Sequence, residues 1–225
     1  MIRLLLSLLL VTICACSTNM QKPNLICTTN SYVKDIKKCE HMFKVDELNC
    51  LLRFNKHDLS DWDNFRKKTF LMAVNLKNDY SMPMSEVFLY DALMKTFYAE
   101  CKFKIGAGAI NKVSDARGLI QWTRRTRKKL NVPEDIHTRP LAEQVDHADQ
   151  YFRYKIWAHK MDVCKIDSVI DIYCIVFAPA RADKPIDYIV YSKGKAYSQN
   201  RGYDTNRDHK ITKREIEERI LRHYD

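Results

Sequence analysis

The stretch Asp204-Thr-Asn-Arg-Asp-His-Lys-Ile-Thr-Lys-Arg-Glu215 sets oxygen-bearing side chains at its first, third, fifth, ninth and twelfth positions. Calcium takes about six to eight oxygen ligands, and one loop supplies them from alternate positions. Asp204, Asn206 and Asp208 would give side-chain oxygens and Lys210 its backbone carbonyl. Thr212 would act directly or through a water, and Glu215 would be bidentate. The expected ion is therefore Ca2+. Ile211 should pack inward, and His209 must turn the chain through positive φ, which His tolerates better than a β-branched residue. The same residues admit another reading. Thr212 and Glu215 are spaced as a helix capping box, which would make the stretch a charged loop that starts "TKREIEERILRHY".

A second stretch with chemical content is "YAECKFKIGAGAINKVSDARGLIQWT". Glu100 stands at a predicted helix end near Phe97 and Phe103, where burial would raise its pKa towards that of a working proton donor. Asp115 is the only acid between Glu100 and Gln121, and it doubles as the turn former of "SDARG". Trp122 is an aromatic that serves either as core or as a platform for a ligand.

These residues need helices to hold them. Only five Gly and six Pro occur, and no long alternating strand pattern is present. The chain reads as mostly α. Residues 32 to 54 mix apolar and basic positions and are predicted helical. Ser60 or Asp61 would cap a helix with Phe65, Phe70, Met72 and Val74 on its apolar stripe. Ser85 would open the next, with Val87, Tyr90, Met94 and Phe97 at helical spacing. Thr123 is a possible cap of the basic segment "RRTRKKL". Pro140 begins a helix in which Leu141, Val145, Ala148 and Phe152 share a face. "DSVIDIYCIVFA" is apolar on nearly all faces, as a buried central helix must be.

The N-terminus "MIRLLLSLLLVTICACS" has an early Arg3, a short apolar run and small residues before Cys16. It reads as a secretory signal, too short to span a membrane. Ile13-Cys14-Ala15-Cys16 resembles a bacterial lipoprotein box, which implies cleavage before Cys16 and acylation of that residue. Polar residues after it would act as a tether. Without residues 1–15 the chain loses one Arg of its 38 basic residues and carries net +9 against 28 acids. Such a balance suits anionic polymers or an anionic membrane face. No aromatic-interleaved basic motif of a nucleic-acid module is visible, so no nucleic-acid partner is expected. Of eight Cys, six remain beyond Cys16, an even number that permits disulfides in an oxidising compartment. Cys164 and Cys174 on one straight helix would lie roughly 15 Å apart, too far to bridge. The absence of any CxxC pair argues against zinc.

The order Ala-Glu100-Cys-Lys-Phe, a loop of some twenty residues and Gly118-Leu-Ile-Gln121 resembles the lysozyme-like lytic transglycosylase superfamily of peptidoglycan-cleaving proteins. The resemblance covers roughly residues 80 to 216 and takes in "LAEQVDHADQYF" and "VFAPARADKPIDYI". The terminal loop resembles an EF-hand at every ligand position, and some family members carry such a loop. The likeness implies a lysozyme-like helical fold, Glu100 as catalytic acid, and Gln121 as an amide that contacts sugar. Trp122 and Asp115 complete the substrate-binding set. Two positions depart from the pattern. Cys101 stands in place of Ser, and Phe177 stands where many members have Tyr, so a hydroxyl that positions the acid or the sugar would be absent.

The expected organisation is a signal at 1–15, a lipid-anchored tether at 16–30 and a helical region at 31–80. A lysozyme-like domain at 81–200 and an EF-hand-like loop and helix at 201–225 follow. The expected function is that of a secreted, membrane-anchored muramidase or lytic transglycosylase acting on peptidoglycan glycan strands, stabilised by Ca2+. The alternative is a non-catalytic calcium- and glycan-binding lipoprotein on the same fold. A lone Glu suits a transglycosylase, in which the sugar's own hydroxyl attacks; a hydrolase needs a second carboxylate.

Overall fold

A computed structural model describes residues 59–222; the signal, the lipoprotein box, the tether and the helix expected at 32–54 lie outside the described residues. The described chain is mostly α-helical, as its composition predicts. Helix α1 spans Leu59–Tyr80, α2 Glu86–Cys101, α3 Arg124–Leu130, α4 Leu141–His159 and α5 Val169–Phe177. Helices α6 (Gly194–Asn200) and α7 (Lys213–Leu221) follow, and α6 is too short for a periodic pattern in the sequence to mark it. Two short antiparallel pairs complete the fold. Strand β1 (Ile110–Asn111) pairs with β2 (Ala116–Arg117), and β3 (Ile189–Tyr191) pairs with β4 (Ile211–Thr212).

The core is a stack of helices. Helix α1 packs on α2 and α4, and α5 packs on α2, α4 and α7. Residues Val169 through Ile175 are all buried, so α5 takes the central place its all-round apolar sequence requires. Phe65, Ala73 and Leu76 of α1 join the same core as Leu89 and Phe97 of α2, Phe152 of α4 and Ile216 of α7. The boundaries expected at residues 80 and 200 therefore do not separate cores: α1 and the C-terminal loop-helix share one with the helices between them.

The helix ends follow local chemistry. Ser85 Oγ accepts from Phe88 N at 3.2 Å and opens α2. Helix α2 ends as Lys102 turns left-handed (φ 55°) with its N–H on Tyr98 O, so Glu100 falls in the last turn. Thr123 caps α3 through Thr126 N. Asp61 departs from expectation. Its carboxylate accepts from Leu141 N at 3.1 Å and Ala142 N at 3.4 Å, and so supplies the cap that Pro140 cannot give α4. Long-range packing thus takes a residue whose sequence position fits a local cap.

Candidate active site

The Glu100 side chain is half-buried at the end of α2. Burial pushes its pKa up to about 7, against opposing pulls from a Tyr173 hydrogen bond and the Lys102 charge. Tyr173 lies on α5, and its hydroxyl also meets the Tyr203 hydroxyl at 3.3 Å. Burial first, and then the Glu100 charge, raise the hydroxyl pKa of Tyr173, Tyr151 and, with the Tyr173 hydrogen bond opposing, Tyr203. The carboxyl is thus set among phenols from three separate elements.

Phe177 carries no hydroxyl, as expected, and the phenol that meets Glu100 stands one helical turn earlier, at Tyr173. Phe177 stacks on Tyr173 at 5.4 Å between ring centres and contacts Tyr203 and Tyr191. It holds the tyrosines in place instead of carrying the hydroxyl. Phe97 and Phe103, expected to shield Glu100, pack with Phe65, and Phe103 also meets Trp62 and Tyr98. Tyr173 was hidden in the sequence because α5 reads as a nearly unbroken apolar run. The i, i+4 spacing of Tyr173 and Phe177 was the available signal.

Asp115 closes the β1–β2 turn in a left-handed conformation (φ 54°). Its Oδ1 accepts from Arg117 Nε and Nη2 at 2.9 and 2.7 Å, and its Oδ2 from Arg127 Nη2 at 3.0 Å. The Arg117 hydrogen bonds, followed by Arg127, hold the carboxyl below its ordinary range. Arg127 is fully buried and also donates to Asp115 O, Trp122 O and Glu134 Oε2. Asp115 is therefore committed to bracing the loop.

Gln121 sits half-buried at φ 53°, and its Nε2 donates to Ala109 O and Gly118 O at 3.1 and 3.0 Å. Both amide hydrogens being spent on carbonyls, Oε1 is the atom it can offer a ligand. Trp122 is only 1% exposed, which corrects its expected substrate contact: the ring is core and offers no face to a sugar. The Gly118–Gln121 turn is tied to α4 by Gln144, a residue that no sequence signal singles out. This buried amide accepts from Leu119 N at 2.7 Å and donates to Arg139 O at 2.8 Å. A Cβ on Gly118 (φ 74°) would come within 2.8 Å of Gln144 Oε1 and 2.9 Å of the Trp122 ring, so only glycine fits there. A cleft of about 460 Å³ opens at the start of α5, beside Ser168, Asp171, Asp183 and Glu217; neither Glu100 nor Gln121 lines it.

The C-terminal loop folds as a helix cap. Thr212 Oγ1 accepts from Glu215 N, and Glu215 Oε2 accepts from Thr212 N at 2.9 Å, a reciprocal capping box. Glu215 Oε1 reaches back to Thr205 N at 3.1 Å. Burial would raise the Glu215 pKa, but hydrogen bonds from Thr212, Thr205 and Asn206 outweigh it and hold the carboxyl below its ordinary range. Asp204 is held down first by the Tyr197 hydroxyl, 2.6 Å away, and then by backbone N–H groups, His209 among them. Asn206 Oδ1 accepts from Asp208 N, and Asp208 Oδ1 accepts from Lys210 N. Ile211 is fully buried and His209 takes φ 64°, both as expected. The donor set fits a hard cation in kind: oxygens only, with two carboxylates held ionised. In this arrangement, among the described residues, no three Asp, Glu, His or Cys side chains stand together as a metal-binding group.

Cys101, Cys164 and Cys174 carry free thiols. Burial pushes the thiols of Cys101 and Cys174 up to about 12. Cys27, Cys39 and Cys50 lie outside the described residues. Comparison of the chain with protein-family models, with curated proteins and with solved structures gives no match.

Proposed function

We propose that this chain is a lysozyme-like, peptidoglycan-cleaving enzyme of the cell envelope, a lytic transglycosylase in which Glu100 is the sole acid and base. Anchoring through Cys16 and stabilisation of the C-terminal loop by Ca2+ belong to the same reading. The observation that carries it is a carboxyl with a pKa near 7, hydrogen-bonded by Tyr173 within a group of tyrosines. The protonated acid gives its proton to the glycosidic oxygen as the bond to the anomeric carbon breaks. The sugar's own hydroxyl then attacks that carbon and returns its proton to Glu100, which restores the acid and leaves an anhydro end. The commitment of Asp115 to two guanidinium groups favours this course over hydrolysis, which needs a free second carboxylate. A non-catalytic glycan binder is the second reading. It draws on Cys101, whose neutral thiol is a weak hydrogen-bond donor where the family has Ser.

The test is muropeptide release from purified wall material as a function of pH. The acid form prevails below about 7, so the rate should hold below that pH and fall above it, close to tenfold per pH unit. The Tyr173 hydrogen bond lowers the Glu100 pKa, so Tyr173→Phe should move this limb to higher pH. A limb that does not respond to Tyr173→Phe would count against Glu100 as the acid.

Calcium supplies, when bound, charge neutralisation across the loop, and Asp204, Asn206, Asp208, Thr212, Glu215 and the Lys210 carbonyl would hold it. A hundredfold excess over Kd should stabilise the fold by about 2.7 kcal/mol. Thermal melting should therefore rise with calcium, and the rise should vanish in Asp204→Ala. Melting curves that overlay with calcium and with chelator would leave the loop as a helix cap alone.

A further inference from the structure

Helices α3 and α4 place an unneutralised basic surface beside an exposed tryptophan. Arg125, Lys128 and Lys129 follow one another at i, i+3 and i+4 on α3, so they share a face. Lys129 Nζ lies 4.8 Å from the centre of the Tyr154 ring, and Lys155 Nζ lies 5.7 Å from the same ring. That ring ties the two helices into one surface. Trp157, one turn beyond Tyr154 on α4, lies with its ring tilted 45° to that of Tyr154, 6.4 Å between centres, and is 75% exposed. Burial lowers the Lys155 pKa, and against the opposing pull of Tyr154 the neighbouring charges of Lys129 and Arg125 lower it further. Many other cations of this fold have an acid: Arg153 has Asp149 and Asp79, Arg139 has Asp135 and Glu143, and Arg214 has Asp187. Among the described residues Arg125, Lys128, Lys129 and Lys155 enter no ion pair.

We infer that this face docks on an anionic phospholipid surface, with the cations over the headgroups and Trp157 seated among them. Charge complementarity supplies the attraction: a surface of anionic lipids draws juxtaposed Lys and Arg within a Debye length. Trp157 decides between a membrane and a soluble polyanion. An indole left in water beside these cations has an apolar body and a polar N–H, which is the combination that settles at the bilayer–water boundary. The inference rests neither on acylation of Cys16 nor on cleavage by Glu100.

The test uses the full chain with Cys16→Ser, so that no acyl group takes part. Tryptophan emission is followed as vesicles of phosphatidylcholine with phosphatidylglycerol, or of phosphatidylcholine alone, are added. Trp122 is buried and Trp62 half-buried, so a vesicle-dependent blue shift reports on Trp157, and Trp157→Phe should abolish it. Insertion of the apolar N-terminal segment would leave that difference at zero. The expected result is a blue shift with anionic vesicles only. It should reverse as salt shortens the Debye length from about 10 Å at 0.1 M to about 3 Å at 1 M. Reversing Lys128 and Lys129 to Glu should weaken binding by at least about 25-fold, at roughly fivefold per cation removed. The inference is overturned by equal binding to neutral vesicles, by an unaltered affinity of the reversed variant, or by a shift with soluble polyphosphate but none with vesicles.

Discussion

Glu100→Gln is expected to lower wall cleavage by at least about 10²-fold, the contribution of general acid catalysis, and to make the protein more stable above neutral pH. Both effects come from one cause. The carboxyl has a folded-state pKa near 7 because burial penalises its charge, against an ordinary value of 4.5. A pKa raised by folding contributes stability that is full below pH 4.5 and is lost as pH rises through 7. At about 1.4 kcal/mol per pKa unit, the loss is on the order of 3 kcal/mol. Gln keeps the size and the Tyr173 hydrogen bond but cannot ionise. Thermal melting of the two proteins should therefore coincide near pH 4 and diverge by pH 8, with the variant higher. An enzyme whose acid is poised at a cost to stability shows this opposition; a solvated helix-end Glu would show neither effect. A folded variant with unchanged cleavage would remove Glu100 from the chemistry.

The second large effect is expected at Lys213. Its side chain is fully buried, and its ammonium donates to Asp171 Oδ1, to Ala182 O at 3.0 Å and to Lys184 O at 2.6 Å. Asp171 is 4% exposed and is also the N3 residue of the α5 capping box, where its Oδ2 accepts from Asp167 N and Ser168 N. One pair thus ties the start of α7 to the start of α5. Lys213→Met leaves a buried carboxylate uncompensated, which costs about 3–5 kcal/mol. Adding Asp171→Asn removes the stranded charge, so the double variant should be more stable than the sum of the single losses predicts. Urea denaturation of the four proteins measures this coupling; additive losses would mean that the pair is not coupled. The consequence reaches the site, because Tyr203 in the C-terminal arm meets Tyr173, and Tyr173 meets Glu100.

The helices were legible in the sequence where their signals were local. Ser85 and Thr123 mark starts, and the almost wholly apolar run of α5 marks the centre of the core. The capping reading of Thr212 and Glu215 was equally plain, because the two partners lie three residues apart. What could not be read were partners far apart in the chain. Asp61 caps a helix 80 residues away, Gln144 braces a turn 25 residues before it, and Lys213 finds Asp171 across 42 residues. Nothing in residue type or spacing announces such pairings. The same holds for the surroundings of Glu100. The sequence singles out Glu100 but predicts that no hydroxyl stands near it on α5, since a helix that looks almost uniformly apolar hides the phenol of Tyr173. The short strands and α6 escape for another reason: each is too brief for a periodic pattern to form.

The central claim is that Glu100 cuts glycan strands unaided by a second carboxylate. Mass spectrometry of fragments released from purified peptidoglycan by the parent protein and by Glu100→Gln tests it most directly. The account predicts soluble muropeptides with anhydro ends from the parent and none above background from the variant. Reducing ends would replace the lone acid with a hydrolytic pair, and the absence of any release by a folded, wall-binding parent would contradict the account and leave a binding protein in its place.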